Sequence, residues 1–252
     1  MWSSLPVELQ LLIAGLLHTT DAHALAQTSR TSHAVAVGRL FCSVRISGDA
    51  LARFPLIYAT HIRHLTLFLD HPTRNAAQLL RACTQLHSLE VRTTAPLDHT
   101  TLVPAFASLT ALHTLHLGIS PCATEEDACL SERQVVALTR VLPSLAHLSL
   151  DHVLPSRTDV PFHVPHAIGD DDLPDQPLST LLHLPSLKTL DLHDTWLTPA
   201  AHAHPRAKVL DRLVLAGCMH DQDPAAPASW LATGAISHIH RLVLGAPLAA
   251  PA

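Results

Sequence analysis

A six-residue phrase with apolar residues at positions one, four and six recurs seven times along the chain and constrains its fold most. The copies begin at Ile62, Leu86, Leu112, Leu145, Leu187, Leu210 and Ile239, so successive starts are 24, 26, 33, 42, 23 and 29 residues apart. Positions four and six alternate with polar residues, as in a short strand that buries one face. Recurrence at roughly 20 to 29 residues is typical of a chain built from stacked units.

Helix-like apolar segments that end in a turn precede most copies of the phrase. They are AAQLLRACTQL, VPAFASLTAL, VVALTRVLPSL and LSTLLHLPSL. Each unit therefore predicts a helix, a turn and a strand, in which the helix covers the apolar face of the strand. The units resemble the irregular leucine-rich repeats of F-box proteins. The expected fold is α/β: a short N-terminal three-helix segment, then a leucine-rich-repeat solenoid with a concave parallel sheet.

The side chains between the apolar strand positions form the predicted partner surface. They carry both charge signs, so we expect shape and hydrogen bonding to dominate recognition of a target protein. A solvated face without a ligand is the alternative. The candidate substrate-binding residues are His64, Phe68, Glu90, Arg92, His116, His147, Asp151, Asp191, His193, Arg212 and Arg241.

Residues 1–47 predict three short helices. Pro6 suits a first helical turn and Glu8 suits the positive end of the helix dipole. A second helix is expected to be capped by Thr20 or Asp21, and a third by the SRTS run at residues 29–32. Three such helices bury little surface, so the segment is expected to lean on a neighbouring domain or a partner. The apolar stripe of the first helix is Leu5, Leu9, Leu12, Ile13 and Leu16.

The string LPVELQLLIAGLL, followed by DAHALAQTSRTSHAVAVGRLFCSVRI, resembles an F-box. The resemblance implies docking on the adaptor subunit of an SCF-type cullin-RING ubiquitin ligase, with the cullin scaffold reached through it. Inward packing as core is the alternative for Leu9, Ile13 and Leu16. The adaptor-binding residues that the resemblance implies are Leu5, Pro6, Leu9, Ile13, Leu16, Leu17, Leu25 and Leu40.

The expected organisation is that of a substrate receptor. Residues 1–47 form the F-box and residues 48–245 form about seven repeats that bind an unidentified target protein. A Pro- and Asp-rich loop insertion is expected at residues 154–177, and a frayed tail at 246–252.

Composition argues against several other classes of protein. The net charge is −5 without clustered Lys and Arg, so nucleic-acid binding is not expected. No apolar run approaches the roughly 20 residues of a bilayer span, so a membrane protein is not expected either. The eight Gly form no phosphate-binding loop. Five scattered Cys fit reduced thiols in the cytoplasm or nucleus.

Two alternative functions stay open. The apolar run at residues 9–17 resembles a signal-peptide core, which would make the chain a secreted leucine-rich-repeat scaffold unrelated to ubiquitin. The 21 His would allow a metal-dependent hydrolase, and His193, Asp151, His116 and Asp191 are the residues expected to converge on the sheet. The sequence has no HExxH, CxxC or GxSxG string, so we predict no metal, no cofactor and no catalysis.

Overall fold

The computed structural model describes residues 2–70, 74–94, 97–119, 130–154, 178–195, 208–218 and 236–245. It shows a mixed α/β fold with an eight-stranded parallel sheet. Residues 155–177 of the expected loop insertion and the expected tail 246–252 lie outside the described residues.

Three helices open the chain and pack on one another. A 3-10 turn, Trp2–Ser4, precedes α1 (Val7–Leu16), α2 (Thr19–Thr28) and α3 (Arg30–Leu40). The SRTS run caps α3 as predicted, because Ser29 Oγ accepts a hydrogen bond from the Ser32 amide at 3.1 Å. The expected cap of α2 is wrong: this helix begins at Thr19 after His18, whose side chain makes no capping hydrogen bond.

The sheet strands follow one another in chain order, and all of them run parallel. The strands are β1 (Ser43–Ser47), β2 (His64–Leu69), β3 (Ser88–Thr93), β4 (Thr114–Ile119), β5 (Leu130–Ser131), β6 (His147–Asp151), β7 (Val153–Leu154), β8 (Thr189–His193), β9 (Lys208–Ala216) and β10 (Ile236–Gly245). The sheet order is β1-β2-β3-β4-β6-β8-β9-β10, and β5 pairs with β7 separately. Each of the seven phrases therefore forms a strand of one sheet, as predicted.

Helices form a second layer against one face of the sheet. They are α4 (Gly48–Arg53), α5 (Arg74–Ala82), α6 (His99–Phe106) and α7 (Glu132–Arg140), with 3-10 turns at Leu56–His61 and Leu178–His183. The last of these was expected to be an α-helix. No helix among the described residues is long and apolar enough to cross a bilayer.

The register aligns the apolar phrase positions into rows that form the core. Leu65, Leu89 and Leu115 pair across β2, β3 and β4, and the row continues into β6, β8 and β9. These leucines are at most 2% exposed. Burying one leucine side chain stabilises the fold by about 1.5–3 kcal/mol, so the phrase supplies the main packing energy of each unit.

Strand β1 is an eighth copy of the phrase that was not expected from the sequence. Phe41, Val44 and Ile46 occupy positions one, four and six, and the copy starts 21 residues before Ile62. Val44 pairs with Leu65 in β2, and Ile46 is 3% exposed. The sheet therefore begins at Ser43, inside the segment that was expected to belong to the helical F-box.

The seventh copy does not bury its leucines. Strand β10 pairs with β9, but Leu242 is 43% and Leu244 is 61% exposed. β10 is the outermost strand of the described sheet, so its apolar side chains lack the neighbour that covers those of the inner strands.

Three consecutive sheet strands, β6, β8 and β9, end in a left-handed residue. His152, Asp194 and Gly217 have φ values of 57°, 44° and 66° and directly follow these strands. The His152 amide donates to His193 O at 3.0 Å, and the Asp194 amide donates to Ala216 O at 2.8 Å. A Cβ on Gly217 would lie 1.8 Å from Asp194 Oδ1, so only glycine fits there.

We therefore expect Gly217→Ala to lower the free energy of unfolding by about 2 kcal/mol or more, measured by urea denaturation. The matched control is Gly15→Ala, because a Cβ on Gly15 of α1 would meet no atom within 4 Å. Alanine there should be neutral or stabilising by up to about 1 kcal/mol. Equal effects of the two substitutions would contradict this account of Gly217.

Candidate functional site

Helix α1 buries its small and amide side chains and exposes its large apolar ones. Gln10 and Ala14 are 4% and 1% exposed. The large side chains that face solvent are Val7, Leu9, Leu11, Leu12, Ile13 and Leu16, which are between 37% and 80% exposed. This orientation is the reverse of a helix that packs its apolar stripe into its own domain.

Specific contacts hold α1 in this orientation. Gln10 Nε2 donates to the carbonyl oxygens of Trp2 and Leu5 at 3.2 and 2.8 Å, which ties the preceding turn to the helix. Arg39 Nε of α3 donates to Leu17 O at 3.0 Å, just beyond the C-terminus of α1. Rotating the leucines inward would expose Ala14 and remove the hydrogen bonds of Gln10.

The implied adaptor-binding residues divide into two sets. Pro6, Leu9, Ile13 and Leu16 are exposed, whereas Leu5, Leu17, Leu25 and Leu40 are half-buried. Leu9, Ile13 and Leu16 therefore do not pack inward as core, which was the alternative for these three residues.

The second candidate surface is the sheet face opposite the helices. Each predicted substrate-binding residue lies on this face, at a strand position that alternates with the apolar residues facing the helices. Four of them are exposed: His64, His147, Arg212 and Arg241. The other seven are half-buried: Phe68, Glu90, Arg92, His116, Asp151, Asp191 and His193.

An ion-pair network crosses three strands near the middle of this face. Arg92 Nε donates to Glu90 Oε1 at 2.8 Å, and Arg92 Nη1 lies 3.7 Å from Asp151 Oδ2. Arg92 thus reaches from β3 over β4 to β6. His152 Nδ1 lies 2.8 Å from Asp151 Oδ1 and extends the network beyond the strand end.

Gly118 lies close beside this network. It lies on β4 between the two bridged strands, and a Cβ there would be 3.0 Å from Asp151 Cβ and 3.2 Å from His116 Nε2. Gly118 was not expected from the sequence to take part in the surface. A signal was present in the sequence. This strand position carries Phe, Arg, Asp or His in four other copies of the phrase, but glycine in this one.

The network changes how its members titrate. Burial alone would raise the pKa of Glu90, but hydrogen bonds from Arg92 and Thr66 outweigh it and lower that pKa. Burial likewise opposes ionisation of Asp151, yet the hydrogen bond with His152 and nearby positive charges lower its pKa. Burial and the charge of Arg92 lower the pKa of His116. The arrangement therefore favours two carboxylates and a neutral imidazole.

Two polar atoms on the same row of the sheet have no hydrogen-bond partner. These buried atoms are His116 Nε2 and Asp191 Oδ1, on either side of Ser149. Asp191 Oδ2 lies 3.3 Å from Arg212 Nη2. At the β1 end of the face, the Arg45 guanidinium lies 4.7 Å from the centroid of the Phe68 ring, a cation–π contact.

The potential metal ligands differ from those expected. Asp151 pairs with His193, and His116 shares a row with Asp191, as the phrase alignment predicted. The ligand atoms that lie within 4.8 Å of one another nevertheless belong to Asp151, His152 and Asp194. A guanidinium already faces one oxygen of Asp151, so this cluster does not require a metal ion. The absence of a metal stays a prediction.

The described cysteines are free thiols. Burial raises the pKa of Cys83 to about 12 and that of Cys218 to about 11. Neither side chain is a thiolate at neutral pH, so neither is poised as a nucleophile.

No protein-family model matches the chain, and no curated protein matches it.

The Arg92 network predicts pH-dependent stability. Glu90 and Asp151 have lowered pKa values in the folded state, so their contribution is present above the unfolded pKa of about 4 and is lost as the pH falls through the folded values. We expect Arg92→Ala to cost about 1 kcal/mol at pH 7 and less near pH 3, measured by urea denaturation. Arg45→Ala is the control, because its contact is with an aromatic ring and its cost should not change with pH.

Proposed function

We propose that the chain is the substrate-recognition subunit of an SCF-type cullin-RING ubiquitin ligase. Its N-terminal helices would be the F-box that binds the adaptor, and its repeats would be a leucine-rich-repeat solenoid that binds the target protein. The observation that carries the proposal is the exposed apolar surface of α1, which falls within the string that resembles an F-box.

Contact between this apolar surface and water costs free energy that a partner would recover. Six large apolar side chains on ten residues of helix stay in contact with water. Contiguous exposed apolar patches mark interaction sites, and an apolar helix face commonly binds in a groove of its partner. Because Gln10 and Ala14 hold the helix in place, the surface is preorganised and binding does not have to orient it first.

The sheet supports the second half of the proposal. Its in-register rows and sequential order are those expected of stacked leucine-rich repeats, with the helical segment ending at Leu40 and the repeats beginning with β1. The half-buried network around Arg92 offers a rigid, polar surface of mixed charge to a target protein. The chain would act by proximity: a target held near a ubiquitin-loaded partner enzyme presents its lysines at a high effective concentration.

A double substitution on α1 tests adaptor binding. Leu9→Asp with Ile13→Asp places two charges in the proposed interface, and we expect the affinity for the purified adaptor to fall by about 100-fold or more. Both side chains are exposed in the isolated chain, so the circular dichroism spectrum and thermal midpoint should change little.

The matched control for this experiment is Ile57→Asp. Ile57 is also a large apolar residue, 75% exposed, but it lies in the 3-10 turn Leu56–His61 rather than on α1. Adaptor affinity should be unchanged. The proposal would be refuted if the α1 variant bound the adaptor as tightly as the unsubstituted chain does. A mature N-terminus that starts after Ala24 would favour the secreted scaffold.

Self-modification provides a separate prediction. The chain contains two lysines, Lys188 and Lys208, and Lys188 is exposed. In a reconstituted ligase, mass spectrometry should find ubiquitin remnants on these lysines or on the N-terminal amine. Substituting both lysines by arginine should leave only the N-terminal modification. No modification of the unsubstituted chain in an active ligase would count against its role as a receptor.

A further inference from the structure

Cationic and histidine side chains line the ends at which five neighbouring strands begin. They belong to residues at the first position of a strand or directly before it, in β2, β3, β4, β6 and β8. We term this row the histidine edge, and its members, all exposed, are Arg63, His64, His87, His113, His147 and Lys188.

Backbone hydrogen bonds repeat along the edge and give it a regular geometry. Arg63 O accepts from the His87 amide at 2.8 Å, His87 O accepts from the His113 amide at 2.9 Å, and His113 O accepts from the His147 amide at 2.9 Å. The rings of His87 and His113 stack with centroids 5.9 Å apart. The backbone positions of Arg63, His87 and His113, which share one row, are therefore spaced by the strand separation of about 4.8 Å.

Carboxylates lie mainly away from this edge. Glu90, Asp151, Asp191 and Asp194 lie farther along the strands or just beyond them, where Arg92 and Arg212 face three of them. Among the described residues, no carboxylate forms an ion pair with Arg63 or Lys188, and Asp211 is the acidic residue at the strand beginnings. The edge from Arg63 to Lys188 thus carries cationic and histidine side chains, and Asp211 lies directly beside Lys188 at its β9 end, where its amide donates to Lys188 O at 2.8 Å.

A groove runs beside the β4 to β9 part of the edge. Its volume is about 660 Å³, and its walls include His113, Ser144, Ser186, Lys188, Val209 and the carboxylate residue Asp211. Val209 is 52% exposed and provides an apolar wall beside the cationic one. An extended segment that places acidic groups on the edge could therefore put an apolar side chain into the groove.

Two histidines of the edge are held by hydrogen bonds from Nδ1 to a backbone carbonyl oxygen. His87 Nδ1 and His113 Nδ1 lie 2.6 Å from the carbonyl oxygens of Gln85 and Ala111, which can only accept. Nδ1 is therefore the protonated nitrogen of the neutral ring, and Nε2 is left as an acceptor. Each ring can donate a hydrogen bond from Nε2 to a carboxylate only as an imidazolium.

We propose that the histidine edge binds an acidic, extended segment of a partner protein. From Arg63 to Lys188 the edge spans four strand separations, about 19 Å, which an extended chain covers in about six residues. The binding chemistry itself does not depend on the proposed function. The inference rests on that function only where the partner is named as a ubiquitination target. A nucleic acid is disfavoured, because it would require clustered permanent cations rather than two separated ones.

Fluorescence anisotropy with a labelled acidic peptide tests this proposal on the full chain without adaptor. The probe is about ten residues long, rich in Glu with one central Leu, and a peptide with Gln in place of Glu is its control. The double variant Arg63→Glu, Lys188→Glu should bind about tenfold more weakly or worse. Arg63→Gln with Lys188→Gln should show a smaller loss, which separates lost attraction from added repulsion.

The matched control is Arg81→Glu with Arg140→Glu. These arginines are exposed in the last turns of α5 and α7, in the helix layer on the other side of the sheet, and the change in net charge is the same. Affinity should fall clearly less than in the edge variant, because neither arginine belongs to the edge or lines the groove. Equal losses in the two double-Glu variants, or tighter binding of a single-stranded oligonucleotide than of the peptide, would overturn the proposal.

Discussion

Burial of two leucine rows on one face of a parallel sheet is the constraint on which the rest of the structure depends. Side chains alternate along a strand, so placing position-four and position-six leucines against the helices sends every intervening residue to the opposite face. The register then sets those residues side by side across strands. The polar face is thus a consequence of core packing, and its chemistry can vary without disturbing the core.

The strands were predictable because their signal is local. Seven phrases with period-two leucines predicted seven strands, and the structure has them in chain order. β1 was missed because Phe41, Val44 and Ile46, which fit the same apolar pattern, fall inside the string that was assigned to the helical F-box. The segment Leu178–His183 forms a 3-10 turn where its apolar pattern predicted a helix.

The side-chain clusters were less predictable, because they depend on distances across strands that sequence spacing does not encode. The outward position of Glu90, Arg92 and Asp151 followed from alternation alone. Their joining into one network requires that Arg92 reach across β4. A list of outward residues does not show such a contact until the register assigns each residue to a row.

Helix α1 shows the limit of amphipathic patterns most clearly. The spacing of its leucines predicted an apolar stripe correctly but could not say whether that stripe faces inward. Two residues with little apolar surface face inward instead: Ala14 is buried, and Gln10 donates to two carbonyl oxygens of the preceding turn. Burying the large apolar side chains would contribute about 1.5–3 kcal/mol for each, more in total than two hydrogen bonds at about 0.5–1.5 kcal/mol each, so the isolated chain leaves this stabilisation unused. A partner that covers the exposed surface of α1 would recover it, and this is the physical basis for the proposed interaction of the N-terminal segment.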